Sequence, residues 1–273
     1  MELHIRHETL YRYDEPVKRS VQNLRLTPRR EPCQRAISWQ IAAPGRQSAQ
    51  IDAHGNVVHM LTLDEPHREI RIVVAGVVET EDAELLTLPN EGRLSPLAYL
   101  AETPLTRIDD TLRRFSAEHL SEHTLTGVFD LAAAVCSAVK YKKGSTEVSA
   151  TAMQVFSRGE GVCQDHAHVF IACCRAANIP ARYVSGYFYP GATEQVASHA
   201  WVDVWLGREP GWTSIDVTHR KLAGGHHCRL AVGRDYLDAC PVRGVRRGGG
   251  DETMQVAVSV ATSEQQQQQQ QQQ

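Results

Sequence analysis

The sequence predicts an α+β protein: an N-terminal antiparallel β-sandwich, then a core in which helices pack on a second antiparallel sheet. Three observations carry that expectation. Up to about Thr80 the chain is a series of short runs rich in Val, Ile and Trp, broken by turn residues. Between about 105 and 177 apolar residues recur at helical spacing, and from 181 strand-like segments return. Strands, then helices, then strands again follow one another along the chain, as in an α+β protein.

Taken in order, ISWQIAAP (37–44), VVHMLTL (57–63) and EIRIVVAGVVET (69–80) read as strands, with AHGN (53–56) as a turn between the first two. TLPNEGRLSP (87–96) is a connector. LTRIDDTLRRFSAEHL (105–120) and GVFDLAAAVCSAVKY (127–141) read as helices, the second with Val128, Leu131, Val135 and Val139 on one face. KKGSTEVSA (142–150) returns to loop. A helix is expected from about Cys163 to Ala177, stopped by Asn178 and Pro180. Strands follow at 181–189, 198–206 and 212–217, with a late one at ETMQVAVSVAT (252–262). The expected units are therefore a β-sandwich at 1–88, a core at 89–262, and a disordered tail at 263–273 dominated by the Gln265–Gln273 run.

Composition narrows the function. The 273 residues hold 29 basic and 32 acidic side chains, a net charge of −3. That balance offers no electrostatic ground for nucleic acid or an acidic membrane as the main partner. No apolar run approaches the ~20 residues that cross a bilayer. MELHIRHETLYRYDEP lacks the basic start and apolar stretch of a signal peptide. The seven cysteines are odd in number and follow no regular framework, so they read as reduced thiols, and a cytoplasmic location is expected.

Three segments carry candidate chemistry: EGVCQDHAH (160–168), SHAWVDVW (198–205) and GWTSIDVTH (211–219). Cys163 opens the expected helix, where unpaired backbone N–H groups favour the nucleophilic thiolate. Most free cysteines are merely small buried hydrophobes. His199 lies in a strand and is positioned to polarise a thiol across a sheet–helix interface, although one histidine among 13 carries little weight alone. Asp216 ends a strand and suits the orienting carboxylate of a triad, or a plain turn. The order Cys, His, Asp on helix, strand and strand makes the joint reading stronger than its parts.

These residues carry a family resemblance. The Gly-Val-Cys-Gln-Asp helix start at 161–165, IPARYVSGY (179–187), SHAWVDVW, the Asp at 216 and the trailing AVGRDYLDACPVRGVRRGGG (231–250) resemble the bacterial transglutaminase-like superfamily, in its cysteine-protease-like branch with an N-terminal β domain. The resemblance implies a papain-like or transglutaminase-like core for about 90–262. It implies Cys163 as nucleophile, His199 as general base and then acid, and Asp216 as the orienting group. The enzyme would open an amide through a thioester, without a cofactor, on a peptide or protein that presents an amide carbonyl. Hydrolysis is favoured over cross-linking, since water is everywhere in a reduced cytoplasm. The first oxyanion donor would be the Cys163 backbone N–H. Animal-type members carry a tryptophan upstream of the cysteine, but here Trp39 is the only one before Cys163. The second donor is therefore open between Gln164 and Tyr141.

Metal ligation is the weaker alternative. Cys163, His166 and His168 do not all share one helix face, and His226 and His227 of GGHHC (224–228) would face different ways on a strand. Cys173 and Cys174 read as helix packing. The rival from another class is a catalytically idle peptide- or protein-binding module, which the presence of all three triad residues argues against. The loops at 142–158, 187–197 and 207–211 would set specificity.

Overall fold

The computed structural model describes residues 1–81, 87–90, 94–191, 198–207, 211–263 and 265. The expected glutamine tail from 266 onward, and parts of the two later specificity loops, lie outside the described residues. The strands of the first part are β1 (Glu2–Leu24), β2 (Gln34–Ala42), β3 (Arg46–Ile51), β4 (Val57–Leu63) and β5 (His67–Thr80), followed by the short β6 (Thr87–Leu88). Then come α1 (Asp110–His119), α2 (Leu125–Ala138), β7 (Lys140–Tyr141), α3 (Ala152–Arg158), β8 (Glu160–Gly161) and α4 (Cys163–Ala176). The chain continues through β9 (Ala181–Phe188), β10 (Ser198–Trp205), β11 (Trp212–Asp216), β12 (Lys221–Leu222), β13 (His227–Gly233), α5 (Tyr236–Ala239), β14 (Val242–Gly248) and β15 (Glu252–Thr262).

The polar start of the chain is the longest strand. In β1 residues 3, 5, 7, 9, 11 and 13 are buried in strict alternation. The period is hidden in the sequence because His7 and Thr9 take two of the inward places. β1 is the axis of one continuous seven-stranded sheet, ordered β2-β5-β1-β4-β3, with β14 and β15 also paired to β1. Along one edge of β1 run β5 and then β4; along the other run β15 and then β14, all antiparallel. Register shifts on both edges around residues 12–19 mark a bend at Asp14-Glu15-Pro16. Leu3, Leu24, Leu61, Ile70, Ile72 and Val74 close one core within it. The N-terminal β region, expected as a sandwich of short strands, is thus one sheet built around the 23-residue β1.

The second sheet is antiparallel throughout, in the order β12-β11-β10-β9-β13, with β6 beside β11. Ala200, Val202 and Val204 of β10 turn toward α4, where Phe170, Ile171 and Cys174 meet them in one core with Val128, Leu131 and Val135 of α2. The α2 face is the one that the sequence predicts. α1 begins at Asp110 rather than near 105, because Asp109 caps it and Pro104–Thr106 forms a separate 3₁₀ turn. Among the elements that went unforeseen are β3, β14, the seven-residue α3, started by a Thr151–Gln154 capping box, and β13, buried along its whole length.

The chain crosses the expected 88/89 boundary twice. Thr87–Leu88 pair with β11 in the second sheet, and β14 and β15, assigned by sequence to the core, return to β1. The Ser263 hydroxyl donates to Glu2 beside them. Tyr187, Cys228 and Leu230 of the second sheet reach into the first sheet's core, so the two sheets pack directly. Among the described residues no helix is long and apolar enough to cross a membrane.

Candidate active site

The site begins at the first turn of α4. Asp165, at the third helical position, reaches back to the Val162 N–H at 2.7 Å and accepts the Thr146 hydroxyl. Its carboxylate lies against Gly161, where an added Cβ would sit 2.6 Å from the Asp165 Cβ, so the close approach requires glycine. The short parallel pairing of β7 with β8 sets Tyr141 opposite Gly161, two residues before Cys163. His166 pins the same turn: it hydrogen-bonds the Val139 carbonyl at 2.8 Å and the Thr218 hydroxyl at 3.0 Å. Burial holds its imidazole below the usual histidine range. Cys163 is half-buried at the head of α4, with helix-terminal N–H groups beside it.

β10 supplies His199 and β11 supplies Asp216. His199 pairs across the ladder with Gly186, whose missing side chain leaves room for the Trp201 ring; a Cβ there would lie 2.5 Å from that indole. Trp201 stacks on His199 with ring centroids 6.1 Å apart. His199 Nε2 meets Asp216 Oδ2 at 2.9 Å, and the residue lines the same cleft as the Cys163 thiol. Burial opposes charge on this imidazole. The hydrogen bonds and charges of Asp216 and Cys163 outweigh it and push its pKa up to about 10.

Asp216 is fully buried, and its Oδ2 accepts from three imidazoles: His199, His219 Nδ1 at 2.8 Å and His227 Nε2 at 3.0 Å. The His219 backbone N–H takes Oδ1 at 3.1 Å. Burial alone would raise the carboxyl, but these donors hold it well below the usual carboxylate range. His227 Nδ1 accepts the Gly224 N–H, which makes Nε2 the protonated nitrogen facing Asp216. Burial lowers the pKa of this imidazole to about 4 despite the carboxylate, so His227 is neutral. The ring of Phe188 lies against His199, His219 and His227 and closes the cluster from one side.

The structure thus gathers Cys163, His199 and Asp216, and sets the two oxyanion candidates apart. Tyr141 is half exposed beside Cys163, and burial together with the Cys163 charge raises its hydroxyl pKa. Gln164 spends its amide N–H on the Val148 carbonyl at 3.1 Å, tying down the 142–150 loop. Of the other histidines weighed with Cys163, His168 turns into the core and accepts the Tyr236 N–H. Cys173 and Cys174 are buried in helix packing, as expected, and all seven cysteines are free thiols. The sequence reading missed His219 and His227 as partners of Asp216. His219 stood in view three residues after Asp216, and His227 in the GGHHC run. The ligand atoms of His199, Asp216 and His227 lie within 4.8 Å of one another, a spacing a divalent cation could use, and both imidazoles already hydrogen-bond Asp216 Oδ2.

Cys163 and His199 open into a cleft of about 500 Å³ between the two sheets. Its core side is formed by Tyr183 and Ser185 of β9, the start of β10 and the 141–148 segment, and its far side by β1 and β15.

A thiol at a helix start, an imidazole on one strand and a carboxylate on the next define the class of cysteine-triad, papain-like folds. The comparisons narrow this. Residues 113–217 match the transglutaminase-like superfamily, and residues 3–79 match the bacterial transglutaminase-like N-terminal region. An uncharacterized protein of Mycobacterium leprae is 32% identical, over 93% of this chain and 96% of its own length. The chain belongs to the transglutaminase-like superfamily. A candidate cysteine protease from Cytophaga hutchinsonii has the same fold, with a TM-score of 0.78 at 22% identity over 96% of this chain and 91% of its own. A protein-glutamine gamma-glutamyltransferase of Pseudomonas aeruginosa is 33% identical over 107 residues, covering 35% of this chain and 16% of its own length.

Proposed function

We propose that the protein is a cysteine-dependent amide-bond hydrolase working through Cys163, His199 and Asp216. One observation carries the reading: His199 hydrogen-bonds the buried Asp216 carboxylate at 2.9 Å and lines the same cleft as the Cys163 thiol, and these two partners raise the pKa of its imidazole. In this scheme the Cys163 thiolate attacks the amide carbonyl carbon, and the carbonyl electrons move to oxygen. The Cys163 backbone N–H and the Tyr141 hydroxyl receive that oxyanion; Gln164 is already engaged with Val148. His199 then gives its proton to the amine nitrogen, the C–N bond breaks, and a thioester remains. Water, deprotonated by His199, attacks the thioester, and the thiolate leaves.

A second acceptor is chemically equivalent. An amine in place of water would give transamidation, and the likeness of 107 residues to a glutamyltransferase favours keeping that outcome in the test. The deciding experiment incubates wild type and Cys163→Ala with a peptide library and a labelled amine, and reads cleavage and amine incorporation by mass spectrometry. Cleavage by wild type and none by Cys163→Ala is expected, since no other group forms the thioester. Equal products from both proteins would take the turnover away from Cys163 and overturn the reading, and no product from either would leave an idle binding module.

A further inference from the structure

The far wall of the cleft is contributed by the first sheet, and its register shows how. β1 and β15 pair so that Thr9 stands opposite Val256 and Tyr11 opposite Met254, and all four line the cleft that holds Cys163. Met254 is 58% exposed and Val256 48%. These are large apolar side chains on an outer strand, left uncovered where they face the thiol's cleft. Behind them, His7 hydrogen-bonds the Tyr187 hydroxyl at 2.7 Å and Thr9 at 2.9 Å, and burial lowers its imidazole to about 4. The wall therefore carries no charge at neutral pH. Among the described residues lining the cleft there is no aspartate or glutamate, and Lys143 stands on the opposite rim.

We propose that this β1–β15 face is the acyl-side specificity wall, selecting substrates with an apolar residue next to the reacting carbonyl and rejecting basic ones. The proposal rests on Cys163 as the nucleophile. The acyl part stays on the enzyme through the thioester while the amine departs, so an apolar wall beside the thiol acts on the acyl part throughout. The volume of about 500 Å³ lies within the ~300–1,000 Å³ of ligand sites and admits a short peptide segment. A lysine or arginine side chain placed there would lose its hydration without meeting a carboxylate.

The test uses peptidyl fluoromethyl ketones that differ only in the residue beside the ketone: leucine, phenylalanine, glutamate or lysine. The Cys163 thiolate attacks the CH₂F carbon, a C–S bond forms and fluoride leaves. Iodoacetamide, which has no peptide part, is the reference. The readout is the ratio of the peptidyl rate constant to the iodoacetamide rate constant at Cys163, mapped by mass spectrometry. In wild type the leucine and phenylalanine reagents should exceed the lysine reagent by about tenfold or more, the scale of a pocket that rejects an ill-matched group. Met254→Asp and Val256→Asp, at exposed positions, should erase that preference and move it toward lysine. Ile51→Asp, 50% exposed on β3 and outside the cleft, should keep it. An apolar preference that survives both aspartate variants, or a wild-type preference for lysine, would overturn the wall. Wild-type Cys163 that reacts with iodoacetamide no faster than the other cysteines would instead defeat the nucleophile reading on which the wall rests.

Discussion

Two buried aspartates on neighbouring strands of the second sheet are held in opposite ways. Asp203 of β10 and Asp216 of β11 are both fully buried, and burial alone would raise both carboxyls. Both are instead held below the usual carboxylate range. Asp203 does this with guanidinium groups: Arg182 Nε donates at 2.8 Å and Arg229 grips both oxygens, with the Ser214 hydroxyl at 2.6 Å. Arg182 is further held over the Trp212 ring at 4.2 Å. Asp216 does it with three imidazoles. A guanidinium never releases its proton, so the Asp203 cluster is a fixed brace between β9, β10 and β13. An imidazole does, so the same buried anion, two residues beyond Ser214, sets up a proton that can move.

The largest effect separating the two falls on activity. Asp216→Asn keeps the size of the side chain but removes the charge that holds His199 protonated. The loss in kcat/KM approaches ~10⁴-fold by analogy with serine triads, and is smaller where a thiol needs less help than a hydroxyl. Thermal stability should fall much less than activity. Full activity in this variant would reduce the triad to a Cys–His dyad.

Asp203→Ala should do the reverse. It leaves Arg182 and Arg229 buried without their anion, at about 3–5 kcal/mol of folding stability. Urea midpoints measure this, and a loss under 1 kcal/mol would show that the brace is dispensable. Since the change is a stability effect, any folded fraction at low temperature should still alkylate at Cys163.

Little local in the sequence distinguished these aspartates beyond the place of Asp216 at the end of its strand. Asp203 sits in SHAWVDVW and Asp216 in GWTSIDV, both in strands, both flanked by apolar residues. The strand-end position, the Cys, His, Asp order and the family resemblance selected Asp216; the chemistry that separates them comes from Arg229, His219 and His227, which reach the two carboxylates from β13 and the turn after β11. Long-range pairing of that kind leaves no local periodicity to read. β1 was obscured for a related reason, since its inward His7 is satisfied by Tyr187 from the other sheet, and Thr9 in turn by His7. What was legible was what short-range rules govern: the helix start at Cys163, the apolar face of α2, and β9, β10, β11 and β15.

The pH dependence of stability sharpens the contrast. His199 in the folded protein stands near 10, above its ordinary value of about 6.5, so its contribution is full below about pH 6.5 and drains away as pH rises toward 10. Asp216 is depressed, so its contribution is present above about pH 4 and is lost only as pH falls below that. The Asp203 brace has no alkaline limb, because its arginines stay charged. Urea midpoints of wild type should therefore decline between about pH 6.5 and 10, and those of Asp216→Asn should decline much less over the same window. Parallel slopes in the two proteins would place the alkaline sensitivity elsewhere.

The smallest effect is expected at His219, and its sign is the informative part. The side chain is 35% exposed, and Asp216 keeps His199, His227 and the His219 backbone N–H when the imidazole is removed. His219→Ala should therefore change kcat/KM by only a few fold, within about 1 kcal/mol for a partly solvated hydrogen bond. Each donor on Asp216 Oδ2 draws on the same anionic charge, so deleting one returns charge to His199. The alkaline limb of the kcat/KM profile should move upward in His219→Ala and downward in Asp216→Asn. A downward shift in both would mean that His219 supports the His199 imidazolium directly, through their rings 5.1 Å apart, rather than competing with it for Asp216.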